Sequence, residues 1–467
     1  MSDRLRGTRV VVVGAGRSGV AAAELCRAYG AEVLVTDAAP RARIEAAATR
    51  LEAHGISLAL GGHDGVDFLG AGLVVMSPGV PSFAAVEDAA RAGVEVIGEI
   101  ELAWRVMPDV PVVAITGSNG KSTTVTLTGE LLAAAGARPF VGGNLGDPPC
   151  EFLPRPGSLA FDYNSVVLEI SSFQAERIPT FRPRRAALLN VSPNHLDRYT
   201  GFEAYVAAKG NLFANQRAGD VAVVPAGDEL CIAQARRSGG ELVFFGRADQ
   251  PEAAFAYDER YVHDRARGLR WERGDMKLAG AHNAMNVCAA LALLSGTAVT
   301  KTELDPSVIA NVLARFEGLG HRISRVATVA GVTFYDDSKG TNVGATVAAI
   351  LGLSETRVVA ILGGRDKLGS YEPLVEAMRA RGRGAVLIGE AADRIADALG
   401  DAVAITRADN MDDAVERARA MAQPGDAVLL SPACSSFDMF RDYKQRGEAF
   451  VAAVRRIEAA DKLGTEA

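Results

Sequence analysis

This sequence predicts an α/β protein of three domains in series, Rossmann-like at both ends with a P-loop-type domain between them. Three observations lead there. Short apolar runs rich in valine and isoleucine alternate with alanine-rich helical stretches along the chain, the pattern of a parallel sheet covered by helices. Two glycine loops each stand directly after such a run and before a helical stretch. At 467 residues the chain exceeds what one hydrophobic core usually organises.

The first domain is expected over 1–107. It opens on a strand at 8–13, continues through a helical stretch at 20–29 and a strand at 32–36, and reaches a strand at 73–76 that ends in Ser77-Pro78-Gly79. The second domain, 108–319, begins at Val110-Pro111 with a strand at 112–116, a glycine loop and a helical stretch at 123–135. Strands at 165–170 and 186–191 follow, each with polar residues at its carboxyl end, where open parallel sheets place their ligands. The third domain, 320–467, contains strands at 332–336, 358–362, 385–388 and 427–430. Only the tail after Ala460 looks loose.

Apolar residues make up 48% and charged residues 23%, which fits an ordinary soluble protein. A net charge of −7 speaks against non-specific nucleic-acid binding, so anionic ligands must be met by cations gathered in particular loops. The five cysteines are odd in number and include no CxxC pair, which argues against a disulfide framework or a zinc site and for buried free thiols. The apolar run near the N-terminus is too short for a signal peptide or a membrane span. The expectation is a cytoplasmic monomer acting on small molecules, with neither nucleic acid nor membrane as partner.

Gly14-Ala15-Gly16-Arg17-Ser18-Gly19 matches G-x-G-x-x-G, and Asp37 ends the next strand, where a ribose-binding acid sits in dinucleotide folds. Taken alone the motif favours a nicotinamide cofactor, with a ligand-free packing turn or a UDP group as alternatives. The second loop is more specific. Gly120-Lys121-Ser122 forms a P-loop core, although Ile115 stands where the full motif has glycine. Backbone amides there point at phosphate oxygens, Lys121 reaches the terminal phosphates and Ser122 can ligate magnesium.

Thr116-Gly117-Ser118-Asn119-Gly120-Lys121-Ser122-Thr123-Thr124 resembles the ATP loop of the Mur ligase family, and further strings follow in the family's order. They are Leu168-Glu169-Ile170-Ser171-Ser172-Phe173-Gln174, Asn190-Val191-Ser192-Pro193-Asn194-His195-Leu196-Asp197-Arg198, Gly280-Ala281-His282-Asn283-Ala284-Met285-Asn286 and His321-Arg322. Asp337-Ser338-Lys339-Gly340-Thr341-Asn342 and Ser431-Pro432-Ala433-Cys434-Ser435-Ser436-Phe437-Asp438 look most like the glutamate-adding branch. The likeness runs from the first strand to Gly447.

The resemblance implies an ATP-dependent ligase of peptidoglycan precursor synthesis, joining D-glutamate to UDP-N-acetylmuramoyl-L-alanine through an acyl phosphate. It implies that the first domain holds the UDP substrate, the central one ATP and metal, and the third glutamate. Gly117, Ser118, Asn119, Gly120, Lys121, Ser122, Thr123 and Thr124 would cradle ATP, with Asn283 and Asn286 near its adenine and Arg322 on its phosphates. Magnesium would be held by Ser122, Glu169, His195 and Lys209, the last carbamylated by carbon dioxide; Lys121, Glu169, His195 and Lys209 are the expected catalytic group. Ser18, Asp37, Ser77 and Gly79 match contacts to uracil and diphosphate, which moves the first loop from NAD to UDP. Asn144, Ser171 and Gln174 match contacts to the muramoyl-alanyl end. Lys339, Thr341, Lys367, Ser436 and Tyr443 would form the glutamate pocket.

Outside that resemblance, Lys209 reads as a solvated helix charge and His195 as an ordinary loop histidine. Two departures stand out: the family often has phenylalanine at Tyr443, and Leu368-Gly369-Ser370 follows Lys367 where relatives commonly run glycine then an acid. A reactive acyl phosphate needs a closed site, so domain closure is expected, with hinges near 108–111 and 318–320. A dehydrogenase would leave the second half unexplained, and a nucleic-acid ATPase conflicts with the charge. The nearest rival is another amino-acid ligase of the same family.

Overall fold

The computed structural model describes residues 2–157, 161–195, 198–278, 280–296, 299, 303–318, 320, 322–366 and 369–465. Lys367, with Asp197, Leu319 and His321, lies outside the described residues. The chain divides into two compact units. One comprises Met1–Val191, Glu203–Lys277 and Ala284–Phe316; the other comprises Ser192–Phe202, Leu278–Asn283 and Glu317–Ala467.

The first unit contains two sheets. Five parallel strands run in the order Ser57–Leu60, Glu32–Asp37, Arg9–Val13, Leu73–Met76, Val96–Gly98. Val10 to Val13 are buried throughout, which a run of β-branched residues suits in a strand covered on both faces. The chain then turns at Gly14, whose φ is +96°, into the helix Arg17–Ala28. A Cβ on Gly19 would collide with the Gly14 carbonyl, so the last glycine of the motif sets how closely helix and strand pack.

The second sheet has nine strands: Leu269–Glu272, Tyr261–Asp264, Ala253–Tyr257, Glu241–Arg247, Val221–Pro225, Arg185–Leu188, Val112–Thr116, Ser165–Glu169 and Pro139–Gly143. The first two pair antiparallel; from Ala253–Tyr257 onward all neighbours are parallel.

The helix Glu99–Val106 joins the two sheets through buried carboxylates. Glu101 accepts the backbone N–H groups of Thr180 (3.0 Å) and Phe181 (2.9 Å), the Thr180 hydroxyl and the Arg105 guanidinium (2.6 Å). Glu99 accepts the Cys150 N–H at 2.8 Å. The expected hinge at 108–111 falls inside this unit, beside the buried joint.

Burial pushes the Glu99 carboxyl up to about 7. A carboxyl whose folded pKa is raised takes up a proton on folding, so stability present below its ordinary range is lost as pH rises from 4.5 towards 7. Glu99→Gln cannot lose that proton. Its stability relative to wild type should therefore rise by on the order of 3 kcal/mol between pH 4 and pH 8, read from urea unfolding at both. A difference independent of pH would show that Glu99 does not titrate in this window.

The second unit is built on six strands in the order Ser324–Val329, Val332–Asp336, Ala427–Leu430, Val358–Gly363, Gly382–Ile388, Ala404–Arg407. Only the Ser324–Val329 edge is antiparallel. The helix Tyr443–Thr465 begins at an expected pocket residue. No described helix is long and apolar enough to cross a membrane.

Candidate active site

In the first unit the strand Val112–Thr116 hands over to the helix Lys121–Ala134 through Gly117–Gly120. Gly117 has φ +154° and Gly120 +82°, conformations open to glycine and strained for other residues. A Cβ at Gly120 would also collide with Oδ1 of Asn286, which itself accepts from the Thr124 hydroxyl at 3.4 Å. Asn190 clamps the loop from the neighbouring strand end: its Oδ1 accepts the Asn119 N–H (2.9 Å) and its Nδ2 donates to the Asn119 carbonyl (3.1 Å). Ser122, Thr123 and Thr124 are buried in the first helical turn. The result is a rigid, positively polarised helix end of the kind that receives phosphate.

Two lysines meet at this loop. Lys121 Nζ donates to the carbonyls of Gly117 (2.7 Å) and Ser118 (2.9 Å). Lys209, on the helix Phe202–Gly210, donates to the same Gly117 carbonyl at 3.0 Å. Only 2% of Lys209 is exposed. Burial, reinforced by the charge of Lys121 and opposed by Glu169, holds its amine well below the ordinary lysine range. The amine lies 4.6 Å from the Tyr205 ring centroid, and the Tyr205 hydroxyl bonds the Ser118 hydroxyl at 3.0 Å.

Glu169 ends the adjacent strand, in register with Ile115, and is 2% exposed. Its Oε1 accepts from Asn144 Nδ2 at 2.7 Å. Lys121, Glu169 and Lys209 are thus brought together as expected, with Ser122 and Asn286 beside them. Ser171 and Gln174 are engaged with each other in a capping box around the helix Ser172–Ala175.

Among the described residues no group of three or more His, Cys, Asp or Glu gathers as a ready metal cluster. The donors that do fit a hard cation are the Glu169 carboxylate and the Ser122 hydroxyl, both oxygen. An ammonium at Lys209 does not fit; a carbamate there would.

At the carboxyl edge of the five-stranded sheet, both carboxylate oxygens of Asp37 hold backbone, taking the N–H groups of Ala15 and Ala39 at 2.7 Å each. The Ser77 hydroxyl donates to the Gly14 carbonyl at 3.1 Å. Ser18 is half-buried in the first turn after the loop, and Gly79 is exposed. Asp37 and Ser77 therefore shape the glycine loop directly.

The second unit holds His195, Asn283, Arg322 and the expected glutamate residues. His195 has φ +55°, and its carbonyl accepts the N–H groups of Arg198 (3.0 Å) and Tyr199 (3.2 Å). A non-glycine residue held left-handed by such turn bonds marks a constrained loop, a frequent feature of functional sites. Lys339 Nζ lies 5.1 Å from the Tyr443 ring centroid, which joins two of the expected pocket residues. The Thr341 N–H donates to the Lys339 carbonyl at 2.8 Å, and Ser436 is buried. Ser435 and Arg365 exchange backbone hydrogen bonds of 2.9 and 3.0 Å, so the loop leading to Lys367 lies beside the one carrying Ser436.

Four further residues hold the two sites in shape without a clear signal in the sequence. Asn190 opens one of the family strings, yet nothing in that string marks it as the clamp on the glycine loop. Tyr205 belongs to no motif. Asp337, buried with its carboxyl pushed up to about 7 by desolvation, accepts the Ser431 hydroxyl at 2.6 Å. Arg446, only 1% exposed, donates to the carbonyls of Ser338 (2.8 Å) and Cys434 (3.1 Å), tying together the two loops that carry Lys339 and Ser436. A lone arginine on a helix gives no sequence signal of such a role.

A helix end offering amides, with two lysines and a buried carboxylate around it, defines an enzyme that works on a polyphosphate. Family models match in three stretches: a Mur ligase MurD-like N-terminal domain at 8–98, a Mur ligase middle domain at 115–294 and a Mur ligase glutamate ligase domain at 321–434. The chain is 43% identical over 459 residues to a UDP-N-acetylmuramoylalanine–D-glutamate ligase of Trichlorobacter lovleyi, covering 97% of this chain and 100% of the relative. The namesake enzyme of Anaeromyxobacter dehalogenans is 44% identical over 468 residues, covering 96% and 98%. Among solved structures, the UDP-N-acetylmuramate–alanine ligase MurC of Thermotoga maritima shares the fold at TM-score 0.58 and 18% identity, covering 96% and 99%. The MurF ligase of the same organism, in complex with ADP, does so at 0.57 and 16%, covering 98% and 97%. The chain belongs to the Mur ligase family, and its three domains in series are those of that family.

Proposed function

We infer that the protein is an ATP-dependent ligase joining D-glutamate to UDP-N-acetylmuramoyl-L-alanine in peptidoglycan precursor synthesis. The full-length identity to enzymes of that name supports the reaction. The observation that supports the site is the convergence of Lys121 and Lys209 on one glycine loop, with Glu169 close enough to act on the Lys209 charge.

In the proposed mechanism the 117–124 loop and Lys121 bind the ATP phosphates, Asn283 and Asn286 its adenine, and Arg322 adds positive charge. Lys209, as a neutral buried amine, would add to carbon dioxide and release a proton to solvent, giving a carbamate that with Glu169, Ser122 and His195 would hold magnesium. Magnesium supplies charge neutralisation on the phosphate oxygens. The alanyl carboxylate takes the γ-phosphoryl group as ADP leaves, and the glutamate amine then displaces phosphate from the acyl phosphate. No covalent enzyme intermediate is needed; positioning and electrostatics carry the rate.

Domain roles follow: 1–107 binds UDP through Ser18, Asp37, Ser77 and Gly79, and 108–319 binds ATP, metal and, through Asn144, Ser171 and Gln174, the muramoyl-alanyl end. The third, 320–467, binds glutamate through Lys339, Thr341, Lys367, Ser436 and Tyr443. Asp37 and Ser77 act by shaping the loop. Closure of the third domain would shield the acyl phosphate, with the hinge near 318–320. Five free buried thiols support a cytoplasmic setting, and a monomer suffices for this chemistry.

Phosphate release with UDP-N-acetylmuramoyl-L-alanine and each amino acid in turn tests the reading. D-glutamate should give turnover and L-glutamate, L-alanine, L-lysine and diaminopimelate none. Equal or better turnover with any of the others would overturn it.

A further inference from the structure

Both oxygens of Asp37, the expected contact to the nucleotide of the first domain, accept loop backbone N–H groups, which fixes the carboxylate in place. A second group stands at the same end of the sheet. Gly61 and Gly62 fold over the end of the strand Glu32–Asp37, their N–H groups on the Asp37 carbonyl at 3.0 and 3.2 Å, and deliver His63 to the carboxyl edge of the sheet. There His63 Nδ1 lies 2.9 Å from the Thr36 hydroxyl oxygen, while Thr36 carries the glycine loop by accepting the Gly14 N–H at 2.7 Å. His63 stacks on Phe83, centroids 4.6 Å apart and planes 9° from parallel, and Phe68 meets Phe83 edge-on. Phe83 precedes the helix Ala84–Arg91 and follows the strand Leu73–Met76, which is separated from Glu32–Asp37 by Arg9–Val13. Loops from two strands thus meet across the end of the sheet, where parallel α/β folds bind nucleotides.

The Thr36 hydroxyl is within hydrogen-bond reach of the Gly62 carbonyl at 3.2 Å as well as of Nδ1. When it donates to the carbonyl it accepts from the imidazole, and in that arrangement Nδ1 carries the ring proton and Nε2 is an acceptor. Nε2 has no partner among the described residues, and the ring is part-exposed. Uracil presents one N–H donor, at N3, between two carbonyls; cytosine presents a bare acceptor there.

We propose that His63 is a specificity-determining residue that reads the base of the nucleotide substrate, its Nε2 accepting the N3–H of uracil. Phe83 and Thr36 are the positioning residues that hold the ring. The assignment rests on the proposed UDP substrate and goes beyond it by naming the group that selects uridine over cytidine.

The test uses the full-length protein in two arms. His63→Phe keeps the aromatic stack and deletes both ring nitrogens. It should raise the KM for UDP-N-acetylmuramoyl-L-alanine roughly five- to tenfold, with kcat and the KM values for ATP and D-glutamate unchanged within about twofold. Wild type given the N3-methyluridine form of the substrate should lose about the same factor, and His63→Phe should not distinguish the two forms. An unchanged KM in the folded variant, or wild type indifferent to N3-methylation, would overturn the assignment. The methylated substrate needs no variant to fold. Wild type that fails to turn over the unmodified substrate would sink the ligase reading itself, a result separate from either.

Discussion

Replacing Lys209 with glutamine is expected to lower kcat by roughly a thousandfold while leaving the fold intact. The side chain is buried beside another lysine, and desolvation and the Lys121 charge outweigh the attraction of Glu169, so an ammonium is disfavoured there. Burial favours a neutral amine, which is the nucleophilic form. The proposed carbamylation would turn that amine into a negative oxygen donor, reversing the sign of charge the residue can carry. Glutamine fills much of the space and can never carry that charge. Glutamate at the same position should recover part of the loss, since it brings a permanent carboxylate at shorter reach. Wild type stripped of carbon dioxide should lose activity and regain it on titration with bicarbonate. Retention of activity by Lys209→Gln within tenfold, together with indifference to bicarbonate, would refute the modification.

Lys121→Met should cost a comparable factor in kcat/KM for ATP, roughly a thousandfold, and should weaken nucleotide binding measured directly by titration. Its ammonium is held by two loop carbonyls at the helix end, a pre-set orientation for phosphate. Arginine is not expected to substitute, because a planar fork cannot occupy a notch shaped for a point charge. The two lysines should also prove coupled. Burial is the main reason Lys209 is held neutral, but removing Lys121 relieves the added repulsion and so disfavours the proposed carbamate. The double variant should lose much less than the product of the single losses. Simple multiplication of the two effects would mean that the lysines act independently.

Much of this architecture is legible in the amino-acid sequence. Runs such as Val10–Val13 announce buried parallel strands, and the two glycine loops fix where strands hand over to helices. Strings in a shared order single out Lys121 and Glu169, the family resemblance adds Lys209, and the fold brings the three near one another. The hairpin at the edge of the central sheet is not legible, because Tyr261–Asp264 and Leu269–Glu272 mix polar and apolar residues and pack one face only. The burial of Lys209 is invisible as well: its helix has no strong apolar stripe, and only tertiary packing closes over it. Asp37 shows a subtler gap. The motif locates the residue correctly, yet whether its oxygens face a ligand or their own backbone is decided by loop conformation that spacing does not encode. Arg446 and Tyr205 act through contacts far away in sequence, and a pattern read along the chain carries no trace of them.

The joint made by Glu99 and Glu101 bears on how the protein can be taken apart. Anyone wishing to study the central domain alone would be drawn to start at residue 108. That cut would strip the Thr180 and Phe181 amides of their acceptor and lay open the apolar surfaces around Cys150 and around Phe181. The excised fragment should be prone to aggregate, whereas a fragment beginning upstream of the first strand and ending near 316 keeps its seam sealed.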